Sequence, residues 1–171
     1  LVLGSGGARG YAHIGAIEIL EENGIKPDFI VGTSAGSIVG SIYASGKTPA
    51  ELRKVAMNLQ VQDVRDINFG LQGFFDGKKI EKFVNEQVGY LALEKLPIPM
   101  YVVATELKNG GKVVFNQGNT GQAVRASISI PSMFVPAKIA NKEYVDGGLV
   151  SPVPVNIARE LGADIVIAVD I

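Results

Sequence analysis

Two kinds of apolar spacing run along this chain, and each predicts a different element. The opening "LVLG" is a continuous apolar run that reads as a short buried strand, and "DFIVGT" at residues 28–33 is the next such run. Between them, residues 10–23 place Ile14, Ile17 and Leu20 on one side of a helix and Glu18, Glu21 and Glu22 on the other, with Gly24 as the stop. A helix of small residues then reaches Gly46. "TPAELRKVAMNL" opens as a capping box, with Thr48 at the N-cap, Pro49 in the first helical position and Glu51 reaching back. Residues 60–75 show no clear period. Asp76 is placed to cap a helix through "KKIEKFVNEQV", and Thr120 to begin one through "QAVRASI". "PMYVVATEL" and "KVVFN" flank Asn109-Gly110 and read as a hairpin, "PAKIANKEYVDGG" as a second. "PVNIARELGADIVIAVDI" reads as a helix, a glycine stop and a buried strand.

Helix and strand patterns alternate at both ends, which favours a largely parallel sheet covered by helices on both faces. The expected fold class is α/β: a single three-layer domain over residues 1–171, with a mostly parallel central sheet. Composition agrees: 47% hydrophobic residues and 21 glycines suit a globular chain with many tight turns. Sixteen basic against 17 acidic residues, a net charge of -1, give no basic footprint for nucleic acid and no polybasic signal for anionic lipid. No cysteine is present, so thiolate chemistry and disulfides are excluded. No apolar run approaches the roughly 18 residues needed to span a bilayer, and no signal peptide is visible. The chain starts and stops inside strand-like segments, so both ends look trimmed.

Candidate chemistry enters at "GTSAG", residues 32–36. Here Ser34 stands between Gly32 and Gly36 at a strand-to-helix corner, the context that G-x-S-x-G requires. A serine on so sharp a turn needs small neighbours, and the following helix points its first N–H groups at negative charge developing on a substrate. A plain packing turn is the competing reading. The loop "GSGGARG", residues 4–10, also divides two ways. As a dinucleotide fingerprint starting at Gly4, its third glycine falls on Arg9, and the acid expected at the end of the second strand is missing. As an oxyanion hole, successive glycines let backbone N–H groups converge on one point, with Arg9 locking the loop through backbone carbonyls or adding positive potential.

A nucleophilic serine needs a base. The only histidine, His13, lies upstream of Ser34, against the order of serine, acid and then histidine in α/β-hydrolases, and a lone histidine on an amphipathic helix is usually structural. A carboxylate is therefore expected. Asp146 in "YVDGGLV" is the leading candidate, because a strand ends on it and Gly147 and Gly148 clear space around it; Asp170 at the end of the last strand is its rival.

The glycine-rich "GSGGARG", the elbow "GTSAG" and the late "DGG", in that order, resemble the patatin-like phospholipases of the compact bacterial type. "AVRASISIPSMFVP" and "YVDGGLVSPVPVNIARELGADIVIAVDI" extend the resemblance across nearly the whole chain. It implies a patatin-like, α/β-hydrolase-related fold and a lipid acyl hydrolase with a Ser-Asp dyad, acting without metal or cofactor. Carried over, Ser34 is the nucleophile and Asp146 the base. The N–H groups of Gly6, Gly7 and Ala8 form the oxyanion hole, supported by Arg9, Gly32, Gly36, Gly147 and Gly148. The implied partner is a lipid or other acyl ester, with transient contact at a membrane surface and a cytoplasmic location; the oligomeric state is not specified. Acyl transfer to another alcohol, or a non-catalytic nucleotide- or lipid-binding module, are the alternatives. Ser5 stands where some members have glycine, and Ser132 follows Ser-Ile-Pro where glycine is frequent. Phe69, Leu71, Phe74 and Phe75 are the residues expected to face lipid or to turn inward to the core.

Overall fold

A computed structural model describes residues 1–60, 63, 65 and 74–171. In chain order the elements are β1 (Val2–Leu3), α1 (Tyr11–Glu22), β2 (Ile30–Thr33), α2 (Ala35–Ala44), α3 (Pro49–Asn58), α4 (Lys78–Gln87), β3 (Met100–Glu106), β4 (Gly111–Phe115), α5 (Thr120–Ile128), β5 (Ala137–Ile139), β6 (Lys142–Asp146), α6 (Val155–Glu160) and β7 (Ala168–Val169). The strands form one mixed sheet. β7, β1, β2 and β3 are parallel in that order, while β4 and β6 pair with β3, and β5 with β6, in the antiparallel sense.

Side chains alternate between the two faces of a strand, and both faces are buried here. Leu3, Ile30, Met100 and Val102 join the larger core with α1, α2, α4 and α5. Their neighbours Val2, Val31 and Val103 join a smaller one with Ile157 and Ala158 of α6. Helices therefore cover both faces of a three-layer α/β domain, in agreement with the sequence pattern. The expected buried last strand is different: β7 is a two-residue edge with β1 as its neighbour, so Ala168 is exposed and Val169 half-buried.

The register around β3 sets the site. Val102 pairs with both Gly32 of β2 and Phe115 of β4, and Ala104 with both Asp146 of β6 and Val113 of β4. A residue in a ladder has one neighbour on each side, so β2 and β6 both lie opposite β4. They share one edge of β3 and arrive from opposite directions. β2 ends with Thr33 against Val103, and β6 ends with Asp146 against the next residue, Ala104.

Both hairpins form, the second through Ala140 (φ 46°) and Asn141 (φ 67°). The capping box of α3 also forms, with Thr48 Oγ1 accepting from Glu51 N and Glu51 accepting from Thr48 N at 2.7 Å. Thr120 begins α5 as expected, while the cap assigned to Asp76 shifts by one residue. Gly77, with φ 77°, is the N-cap of α4, because the Asp76 carboxylate is drawn to Arg125 and Lys78 instead. Asn119 caps α5 by accepting from Gln122 N, which leaves the Thr120 hydroxyl to donate to Leu91 O. Ser132 has φ 69°, a left-handed conformation that glycine adopts more easily. Phe69 and Leu71 lie outside the described residues. Phe74 and Phe75 are half-buried, and Phe75 packs on Phe134 with ring centroids 5.5 Å apart.

Helix α2 sits so close to the sheet that a Cβ on Gly36 would fall on Leu3 O and lie 2.7 Å from Gly4 O. Backbone atoms cannot move aside as a flexible side chain does. Gly36→Ala is expected to destabilise the fold by about 3 kcal/mol, which for a chain of this size lowers Tm by roughly 6–12 °C. Thermal unfolding checks this, and an unchanged Tm would show that the contact gives way.

Candidate active site

Ser34 occupies the step from β2 into α2. It holds φ 53° and ψ -120°, a conformation that side-chain-bearing residues rarely adopt and that costs on the order of 1–3 kcal/mol. Gly32 makes the turn possible, since a Cβ there would lie 2.7 Å from Gly36 O. The Ser34 amide donates to Ser127 Oγ at 2.8 Å, and Ser127 in turn donates to Val103 O. Ser34 O accepts from the Ser37 hydroxyl. The corner is held from three elements.

Asp146 reaches the same point along β6. Its amide donates to Ser129 O and its carbonyl accepts from Thr105 Oγ1, so the backbone is fixed on both sides. Oδ1 accepts from Gly148 N at 2.6 Å, and Oδ2 accepts from Ser34 Oγ at 2.6 Å. A Cβ on Gly147 would fall on Val103 O, so no larger residue permits this approach to β3. Both side chains are almost fully enclosed, Ser34 at 4% exposure and Asp146 at 6%. Burial pushes the Asp146 carboxyl above its usual value, while the donors from Ser34 and Gly148 pull the other way.

The glycine loop lies at the carboxyl end of β1. Gly4 N donates to Val169 O and Ser5 N to Pro152 O; then Gly7–Gly10 form a 3-10 turn with Arg9 N donating to Gly6 O. Gly7 has φ 56°. The amides of Gly6, Gly7 and Ala8 donate to no acceptor among the described residues, the state of first-turn N–H groups that await an external acceptor. The Arg9 side chain is exposed and bonds to no carbonyl among the described residues, so it does not lock the loop. That task falls to His13, fully buried on α1, whose Nε2 lies 2.7 Å from Gly4 O. A carbonyl only accepts, so Nε2 carries the proton. Burial holds the imidazole pKa below its ordinary value, the bond to Gly4 opposing the shift.

The structure thus brings Ser34 and Asp146 together and leaves both other candidates aside, His13 beneath the loop and Asp170 exposed at the end of β7. Ser127, Ser129 and Thr105 were not singled out from the sequence. "ASIS" near the end of a helix carries no motif, and only the fold shows these hydroxyls turning inward.

The profile of the patatin-like phospholipase family matches residues 1–159. The chain is 39% identical over 173 residues to an uncharacterised NTE family protein of Mycobacterium tuberculosis, covering all of this chain and 48% of that protein. It is 32% identical over 180 residues to patatin-like phospholipase domain-containing protein 6 of Homo sapiens, again over all of this chain but 13% of the human one. The chain therefore spans about half the length of the mycobacterial relative and a small part of the human one. Among solved structures, VipD from Legionella pneumophila superposes with a TM-score of 0.69 at 18% identity, over 85% of this chain and 45% of that one. Such a likeness concerns the fold alone.

The raised Asp146 pKa makes a stability prediction. The folded chain holds this proton more tightly than the unfolded chain, so stability falls as pH rises from the ordinary value of 3.8 through the raised one. Asparagine has no such dependence. The Tm of Asp146→Asn relative to wild type is expected to move in the variant's favour between about pH 4 and pH 7. Calorimetry across that range checks it, and parallel curves would mean that the carboxyl is not destabilised by burial.

Proposed function

The chain belongs to the patatin-like phospholipase family, and on that premise we propose that it is a serine acyl hydrolase cleaving lipid esters through a Ser34-Asp146 dyad. The observation that carries the proposal is the 2.6 Å bond from Ser34 Oγ to Asp146 Oδ2 in an enclosed corner. Ser34 Oγ attacks the ester carbonyl carbon as its proton passes to Oδ2 of Asp146. The carbonyl oxygen becomes an oxyanion received by the amides of Gly6, Gly7 and Ala8. Collapse expels the alcohol, which takes the proton from Asp146, and leaves the acyl group on Ser34. Water then attacks with Asp146 again as base, which releases the carboxylic acid and restores Ser34.

A carboxylate is a weak base toward an alcohol, so the proton transfer depends on two features. Burial makes the ionised Asp146 more avid for a proton, and amides without an acceptor in the loop are free to receive the developing charge in a site of low dielectric. Exposed Arg9 adds positive potential at the rim of the loop. Gly32, Gly36, Gly147 and Gly148 act by absence, since the two strand ends meet only without side chains there. Among the described residues, no helix is long and apolar enough to cross a membrane; lipid reaches such a site by transient contact of the domain with a bilayer surface.

A fluorophosphonate followed by peptide mass spectrometry is expected to label Ser34. Ser34→Ala should lower ester turnover by on the order of a thousandfold or more while remaining folded. Full turnover by the folded variant overturns the proposal. In kcat/KM against pH, activity falls on the acid side as Asp146 takes a proton, with a midpoint above 3.8. His13→Gln should keep that limb, and Asp146→Asn should be close to inactive. The opposite pattern would make His13 the base.

A further inference from the structure

A cavity of about 200 Å³ lies between the glycine loop and one face of α2. Its near end is formed by Gly7 and Ala8 of the glycine loop and by Ala35, the residue after Ser34. Ala35, Ile38, Val39 and Ile42 continue it along one face of α2, the spacing of a helical stripe. At about 1.5 Å per residue this stripe is roughly 10 Å long. Leu52 of α3 and Ile80 and Phe83 of α4 close the far side. Among its described lining residues Tyr11 alone carries a polar side-chain group, and Tyr11 is largely exposed. A hydrophobic core normally fills such space; here an apolar space is left open where it adjoins Gly7 and Ala8 of the loop and Ala35, the residue that follows the serine.

We infer that this cavity is the acyl-chain site and that it sets the chain length the protein prefers, an inference that rests on the proposed acyl hydrolysis. The geometry selects the acyl part of the ester. The carbonyl carbon is fixed between Ser34 and the amides of Gly7 and Ala8, and the chain attached to that carbon starts where the cavity starts. A dry apolar cavity of about 150 Å³ accepts benzene, so this one accommodates on the order of eight carbons. The headgroup and alcohol stay outside the cavity. Phe83, Val55 and Leu59 also line an open groove bounded by Lys54, Asn58 and Glu86. These three side chains stand between the two spaces, and on this inference they limit the length of the acyl site.

The test uses p-nitrophenyl esters, in which the acyl chain alone varies. For the wild-type chain, kcat/KM is expected to climb from acetate to octanoate and to level off beyond it. Val39→Phe fills the channel and should lower the octanoate-to-acetate ratio at least tenfold, with folding checked by circular dichroism and thermal unfolding; a missing methylene's worth of space in an apolar pocket is worth about 10- to 200-fold. Phe83→Ala opens the partition and should move the plateau to longer chains, so the inference stays testable if Val39→Phe fails to fold. A profile indifferent to both changes, with Ser34-dependent turnover intact, overturns the inference and leaves the hydrolase standing. No Ser34-dependent turnover at any length overturns the hydrolase itself. A second series of alkyl acetates, varying the alcohol, should ignore Val39→Phe; a response there instead of in the acyl series would assign the cavity to the leaving group and overturn the inference.

Discussion

Val103 and Ala104 are adjacent on β3, and each is the last ladder position of a different strand. β2 comes to an end against the first and β6 against the second, from opposite directions. Hydrogen bonding between backbones fixes each approach, so the distance between the two strand ends follows from the ladder rather than from side-chain flexibility. Ser34 and Asp146 are 112 residues apart in sequence, yet their meeting needs no loop to close over them. A side-chain pair held at the ends of rigid elements keeps its geometry better than one on loops, and this pair stands at the ends of two strands that share a third.

Such a junction is crowded, and the crowding explains the small residues around it. Gly32, Gly36 and Gly147 each face backbone atoms at distances that leave no room for a Cβ. The left-handed serine between them is strained, and strain persists only where surroundings over-determine it. Ser127 supplies part of that determination by taking the Ser34 amide while donating to Val103 O of the shared strand. The same residue that forms the junction also anchors its support. β3 therefore acts as ruler and as clamp.

Much of this was legible in the sequence, for identifiable reasons. Continuous apolar runs gave the strands because both sheet faces are buried, and the glycine-serine-glycine corner gave the elbow because few residue types fit so sharp a turn. Asp146 was chosen by elimination and by its two glycines, a choice the hydrogen bond to Ser34 now supports. Thr120 begins its helix as read, but the cap assigned to Asp76 was misplaced by one position. A distant partner, Arg125, captured the carboxylate that local reading assigned to the helix. Arg9 was expected to lock the loop or to add positive potential, and His13 to be structural or at the surface; His13 is structural, and only tertiary contact reveals that it holds Gly4 O. The head-to-head ending of β2 and β6 had no local signal at all, since it resides in how strands pair.

The hydroxyls near the dyad deserve to be followed one proton at a time. Ser127 donates to Val103 O, Ser129 to Arg125 O, Thr105 to Asp146 O, Thr33 to Ser151 O and Ser37 to Ser34 O. A carbonyl oxygen has no proton to give, so each of these five must be the donor in its bond. Their protons are therefore all occupied by the backbone. The Ser34 hydroxyl is the one of the six aimed at a carboxylate. Of these six alcohols, the fold has left a single one whose proton has somewhere ionisable to go, and on the proposed mechanism the engagement of its neighbours concentrates reactivity on that oxygen.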